Sequence, residues 1–211
     1  MSMTYSVKEI FYTLQGEGRH SGRPAVFCRF AGCNFWSGRE QDRAAADCNF
    51  CDTDFIGTDG QNGGKFSTAE SLADAVQKIW GGAGGKPFIV CTGGEPLMQL
   101  DSALITALQG RGFVVAVETN GSLPCPPELD WVCVSPKNLD KLVQTSGDEL
   151  KLVYPQDAVG PDDVAHLDFA HFYLQPLDEA GADHRAATVQ YCLAHPRWQL
   201  SLQSHKILGI D

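Results

Sequence analysis

Long apolar runs are missing from this chain. Stretches such as Phe113 to Val117 fall far short of the ~20 residues a helix needs to cross a bilayer, so no membrane span is expected. Basic residues are scarce as well, 16 against 26 acidic, which leaves a net charge of -10. A surface of that sign repels phosphate backbones and anionic lipid, and it argues against nucleic-acid and membrane partners. The opening stretch MSMTYSVKEIFYTLQGEG has no basic segment leading into an apolar one, and the expected location is the cytoplasm. Repeats and low-complexity tracts are absent too, and 211 residues suit a single domain over 1–211.

In a reducing compartment, the eight cysteines are read as core residues or metal ligands rather than a disulfide framework. Cys28, Cys91, Cys125, Cys133 and Cys192 have no close cysteine neighbour and are expected to be small buried hydrophobes.

What the chain does have is a regular alternation of short apolar runs and amphipathic segments. Runs at 25–30, 88–91, 113–118, 131–134, 150–153, 172–174 and 198–202 mostly lack polar alternation, as strands buried on both faces do. A helix is expected after a Ser67–Glu70 capping box, with Leu72, Ala75, Val76, Ile79 and Trp80 on one face and Gly81 as its stop. Two more fit Leu97 to Leu108 and Asp183 to Leu193, and the glycine-rich segments 57–65 and 81–87 read as mobile surface loops. Strands joined by helical crossovers imply a parallel sheet. The length falls short of the ~250 residues of a closed eightfold barrel, so the expected fold is α/β, a shortened, incomplete barrel of about six strands with few helices.

Polar or unusual residues follow nearly every apolar run: Arg29 and Cys33, then TGGEP, ETNG, SPK, QP and finally QSHK. Ligands of such sheets sit at the carboxyl ends of the strands, so these segments are expected to converge on one site. Cys48 and Cys51 have the two-residue spacing that lets two thiolates grip one metal centre, and Cys33 lies fifteen positions upstream. Two readings stay open on spacing alone. Structural zinc needs a fourth ligand, from Asp47, Asp52 or His20. A 4Fe-4S cluster held by three thiolates instead keeps one iron open, which suits catalysis. The intervening SGREQDRAAAD is expected to form a short helix over the cluster.

The pattern C-x14-C-x2-C, followed by CTGGEP, resembles the radical S-adenosylmethionine (SAM) superfamily with its first cysteine interval widened from the usual three residues. The segments FYTLQGEG, FCRFAGCNFW, CNFCDTDF, CTGGEP, ETNG, VSPK, QP and LSLQSHK occur in order along almost the whole chain. Together they resemble the 7-carboxy-7-deazaguanine synthase family of queuosine and 7-deazapurine biosynthesis.

That resemblance implies a lyase in which Cys33, Cys48 and Cys51 are the catalytic cysteines that hold the 4Fe-4S cluster, with SAM chelated at the open iron. The 5′-deoxyadenosyl radical then abstracts hydrogen from 6-carboxy-5,6,7,8-tetrahydropterin, and ring contraction with loss of ammonia gives 7-carboxy-7-deazaguanine. By the same resemblance Asn49, Phe50, Gly94, Ser135, Pro136, Lys137, Gln175, Pro176, Leu177 and Asp178 would bind SAM. Leu14, Gln15, Gly16, Glu17, Arg29, Thr92 and His205 would hold the pterin, and Thr53 would contact Mg2+. A homodimer and an electron donor such as flavodoxin are implied partners. The chemistry of two of these residues agrees: Arg29 can pair bidentately with the substrate carboxylate, and Glu17 suits the donor edge of an aminopyrimidine. Two alternatives are another radical SAM enzyme, such as a glycyl-radical activase, and a zinc-stabilised binding module.

Overall fold

The computed structural model describes residues 4–82 and 84–210; the first three residues, Ala83 of the 81–87 loop, and Asp211 lie outside them. The elements in chain order are β1 (Tyr5–Leu14), β2 (Pro24–Phe30), β3 (Gly64–Phe66), α1 (Ala69–Trp80), β4 (Phe88–Gly93), α2 (Ser102–Gln109) and β5 (Val114–Thr119). There follow β6 (Trp131–Val134), β7 (Ser146–Tyr154), α3 (Pro161–Val164), β8 (Asp168–Pro176), α4 (Arg185–Ala194), β9 (Trp198–Leu200) and α5 (Ser204–Leu208). Among the described residues no helix is long and apolar enough to cross a membrane.

These strands form a nine-stranded sheet in the order β3-β1-β2-β4-β5-β6-β7-β8-β9. From β2 onward every neighbouring pair is parallel, whereas β1 runs antiparallel between β2 and β3. Among the described residues the edge strands β3 and β9 do not pair with each other, so this is an incomplete barrel with few helices. It exceeds six strands through antiparallel β1 and β3 and the short β9.

Side chains alternate between the two faces of a strand, and this sorts the sheet into an outer and an inner surface. On the outer surface Val26, Cys28, Phe30, Ile89, Cys91, Val115 and Val117 pack under Leu72 and Val76 of α1 and Leu104, Ile105 and Leu108 of α2. Farther along, Leu150, Leu152, Phe172, Leu174 and Trp198 close a second core with Val164 of α3. On the inner surface, Ala25, Phe88, Val90 and Ala116 form a small apolar cluster. The same parity then places Arg29, Thr92, Glu118, Lys151 and Gln175 inward, toward the carboxyl ends of their strands. At the amino end of β4, the ring of His20 lies 5.0 Å from Phe88 and 4.4 Å from Trp131, and the Arg23 guanidinium covers Phe88 at 3.8 Å. That end is therefore filled.

Several local expectations need correction. Strand β1 was not legible from periodicity because its register shifts between Val7 and Glu9, which leaves Val7 and Lys8 both buried and breaks the alternation. The Lys8 ammonium emerges at that bulge and binds Asp54, Asp59 and the Ile56 carbonyl. The segment 57–65 is accordingly pinned to β1: Gly60 N donates to Lys8 O at 3.0 Å, Ile10 N donates to Gln61 O at 2.7 Å, and Gly64 and Lys65 belong to β3. A Cβ at Gly63 would strike the Lys8 carbonyl, so this glycine serves close backbone approach. The capping box of α1 lies one residue later than expected, between Thr68 and Ser71, because Thr68 is the last extended residue. Of the five isolated cysteines, Cys28, Cys91 and Cys133 are buried, whereas Cys125 and Cys192 are only partly so.

The expected helix 97–108 is split into a 3-10 turn at Pro96–Met98 and α2, with Asp101 as the cap between them. One Asp101 oxygen accepts both Leu104 N at 3.0 Å and the Tyr5 hydroxyl at 2.8 Å, so it ties α2 to β1. Replacing Asp101→Ala is expected to destabilise the fold by about 1–2 kcal/mol in urea titration, from a lost cap and a stranded hydroxyl. Asp101→Asn, which keeps the single acceptor oxygen that serves both bonds, should stay within about 0.5 kcal/mol of the native chain.

Candidate active site

The polar inner residues open into a cavity of ≈ 390 Å³ at the carboxyl ends of the parallel strands. Arg29 enters it from β2, Thr92 and Gly94 from β4, Glu118 from β5, Ser135 and Lys137 from the turn after β6, Lys151 from β7, and Gln175 to Asp178 from the end of β8. Leu14 to Glu17 and, from the far end of the chain, Gln203, His205 and Lys206 supply another wall. Cys33, Cys48, Phe50, Cys51 and Thr53 complete it. Of the expected site residues, only Asn49 and Pro136 lie off the lining: Asn49 is exposed and Pro136 is buried behind Lys137. His205 follows the last strand in α5, not at the strand end itself.

All three thiols of the C-x14-C-x2-C pattern face this space. Among the described residues, no three His, Cys, Asp or Glu side chains converge closely enough to ligate a single metal ion. Of the fourth zinc ligands considered, His20 is packed against Phe88 and Trp131, and Asp47 is engaged by Asn138 and Lys141. Asp52 is paired with Lys206 at 2.6 Å. Three thiols lining one common space would suit a polynuclear iron-sulfur cluster better than a four-ligand structural zinc ion. A hydrogen bond shared by Cys48 and Cys51 lowers Cys51 to about 6 and pushes Cys48 up; burial raises Cys33.

The residues between Cys33 and Cys48 include the expected short helix, which takes the tighter 3-10 form over Glu40–Ala45. Arg43 leaves it, stacks 4.1 Å from the Trp36 ring and donates through Nη1 to the carbonyls of Asn49 at 3.1 Å and Cys51 at 3.0 Å. The widened interval therefore carries its own brace for the Cys48–Cys51 turn. Gly94 packs behind Cys33: a Cβ there would collide with the Gly32 carbonyl and approach Cys33 Cβ. Glu95, fully buried, accepts Thr119 Oγ1 at 2.8 Å, Asn120 N at 2.8 Å and Leu97 N at 3.0 Å, and so joins the turns after β4 and β5. Burial raises its pKa.

The floor opposite the thiols is ionic. Lys151 Nζ bridges Glu17 at 2.5 Å and Glu118 at 2.9 Å, and Gln15 Nε2 donates to the other oxygen of Glu118 at 2.8 Å. Glu17 is thus held in place by a buried counter-charge. Arg29 Nε donates to Glu9 at 2.7 Å, so it is half of an internal ion pair and a cavity residue at once. Near the thiols, Lys137 Nζ donates to the carbonyl and hydroxyl of Ser135 and lies 5.9 Å from the Phe50 ring centroid, and burial lowers its pKa. At the rim, Lys206 binds both Asp52 and Asp178 at 2.6 Å, joining the cysteine segment, the end of β8 and α5.

Sequence reasoning assigned no role to Glu118, Lys151, Gln203 or Lys206, all of which line the cavity. The clearest missed signal is LKLV: a lysine within an apolar buried strand must turn toward counter-charges.

No protein-family model matches the chain. It is 63% identical over 211 residues to a 7-carboxy-7-deazaguanine synthase of Caulobacter vibrioides, covering 99% of this chain and 100% of that one. A Bordetella pertussis protein of the same name is 61% identical over 209 residues, again covering 99% and 100%. Among solved structures, the crystal structure of QueE from Escherichia coli superposes with a TM-score of 0.69 at 26% identity, covering 94% of this chain and 93% of that one. With full-length relatives this similar and three thiols ringing the cavity of an incomplete barrel, the chain belongs to the 7-carboxy-7-deazaguanine synthase family.

Proposed function

We propose that this chain is a radical SAM lyase that converts 6-carboxy-5,6,7,8-tetrahydropterin to 7-carboxy-7-deazaguanine with release of ammonia, in queuosine and 7-deazapurine biosynthesis. The observation that carries this reading is the convergence of Cys33, Cys48 and Cys51, a cationic arginine and a carboxylate-rich floor on one cavity at the strand ends. When bound, a 4Fe-4S cluster held by the three cysteines and SAM supply the one-electron chemistry that removes a substrate hydrogen.

The chain's own residues do the rest. Gly94, Ser135, Lys137 and Gln175 to Asp178, with Phe50 and the neighbouring Asn49 and Pro136, would hold SAM. Arg29 would pair with the pterin carboxylate, an anion that needs a local cation in a chain of net charge -10. Gln15 and Glu17, backed by Leu14 and Gly16, would receive the ring's N–H edge, and Thr92 and His205 would bound the ring. Thr53 would offer a hydroxyl to Mg2+ beside the substrate. Phe11, Phe27, Phe35, Trp36 and Phe55 wall the cavity and would limit water around the reacting atoms. A cytoplasmic homodimer fed by a flavodoxin-type donor completes the proposal.

The direct check is anaerobic iron and sulfide reconstitution followed by turnover with the pterin, read by mass spectrometry. A deazaguanine product is expected; none, or about one zinc per chain without sulfide, would sink the assignment. Single Cys33→Ala, Cys48→Ala and Cys51→Ala variants should each lose the cluster absorbance and all turnover.

Arg29→Ala is expected to raise KM for the pterin by about 10- to 100-fold, the effect of one lost charge-assisted hydrogen bond, with Arg29→Lys in between. Steady-state kinetics on the reconstituted enzyme decides it, and an unchanged KM would place the substrate carboxylate elsewhere.

A further inference from the structure

Lys151 lies in β7 between Leu150 and Leu152, which belong to the outer core, so strand alternation turns its side chain inward. It is only 4% exposed. A lone ammonium so placed would cost several kcal/mol, and it is retained because two carboxylates from distant segments meet it: Glu17 after β1 and Glu118 at the end of β5. The second oxygen of each is also engaged, Glu118 Oε1 by Gln15 Nε2 at 2.8 Å and Glu17 Oε1 by Gln203 Nε2 at 3.2 Å. Both carboxylates line the cavity, and together with Lys151 they leave its floor one negative charge in excess. Such a floor takes hydrogen-bond donors and repels acceptors.

We propose that Lys151 is a positioning residue for substrate recognition: its ammonium fixes Glu17 and Glu118 as a rigid pair of acceptors matched to the N–H edge of the pterin. The proposal rests on the reading of the cavity as a pterin site. It assigns Lys151 no part in the chemistry.

Burial alone would push the Glu17 carboxyl up, but Lys151, with smaller help from His205 and Gln203, holds it below the ordinary carboxylate range. Glu149 and Cys133 also face Lys151, and Glu149, whose carboxylate accepts Arg19 N at 3.1 Å, is raised by its own burial. Removing the ammonium leaves burial opposed only by the smaller effects of His205 and Gln203, so Glu17 would take up a proton at a higher pH. One of its acceptor oxygens would then become a donor facing donors, and affinity would fail earlier as pH drops.

The test uses the cluster-loaded enzyme and two readouts: KM and kcat for the pterin, and the pH dependence of Kd for 6-carboxypterin, followed by its fluorescence. Lys151→Met is expected to raise KM and Kd about tenfold or more, with saturated kcat within about threefold of native. The acid limb of Kd should move up by about one pH unit. Lys151→Arg, which keeps the charge but not the geometry, should raise KM and leave the acid limb in place. A folded Lys151→Met variant with native Kd and limb overturns the proposal, and so does a kcat collapse at unchanged KM. If Lys151→Met does not fold, the charge-balanced Lys151→Gln/Glu118→Gln pair takes its place: a raised limb supports the proposal, a native limb overturns it. Native enzyme that neither binds 6-carboxypterin nor turns over the substrate defeats the functional reading itself. Native enzyme that does both beside indistinguishable variants defeats only the role of Lys151.

Discussion

A strand can send only every second side chain to a given face, and the rest of this molecule depends on that rule. Because β2, β4, β5, β7 and β8 run parallel and in step, one parity builds the apolar cores under the helices. The other parity collects Arg29, Thr92, Glu118, Lys151 and Gln175 at one end of the inner surface. Rings and the Arg23 guanidinium fill the opposite end. The cavity is thus a product of register. Shifting any one strand by a single residue would exchange a catalytic wall for a core face.

The same arrangement forces charges into poorly solvated places, and the chain answers with counter-charges rather than with exposure. Lys151 has two carboxylates, Lys8 has two aspartates and a carbonyl, and Glu95 has three donors. Each such group bridges segments that are distant in sequence. Satisfying a buried charge and joining the turns that carry functional residues are therefore one requirement.

Much of this was legible in the sequence, and the rest has identifiable physical reasons. The seven apolar runs all became parallel strands, because two-sided burial leaves a continuous hydrophobic signature. The motifs that follow them all reached the cavity wall, since a parallel sheet delivers strand ends to one side. Strand β1 was hidden by a bulge that doubles up Val7 and Lys8, and β3 by the glycines of a segment that reads as a flexible loop. Lys151 was visible as an odd charge in an apolar run, but its partners come from residues 17 and 118, a pairing that no local pattern encodes. Arg43 was likewise present as one charge among many in a polar insert, and only the folded chain shows it reaching back to the cysteine turn.

The wall made by Ser204 and its neighbours has one more implication. Ser204 bonds to the Gly16 carbonyl across 188 positions, and Lys206 reaches Asp52 across 154. Helices and adjacent strands draw on short-range contacts, whereas this enclosure is completed only when nearly the full span of the chain has been brought together. Loop entropy opposes contacts of such sequence separation, and this wall of the chamber stays shut because two hydrogen bonds from Ser204 to one carbonyl and two ion pairs from Lys206 act together against it.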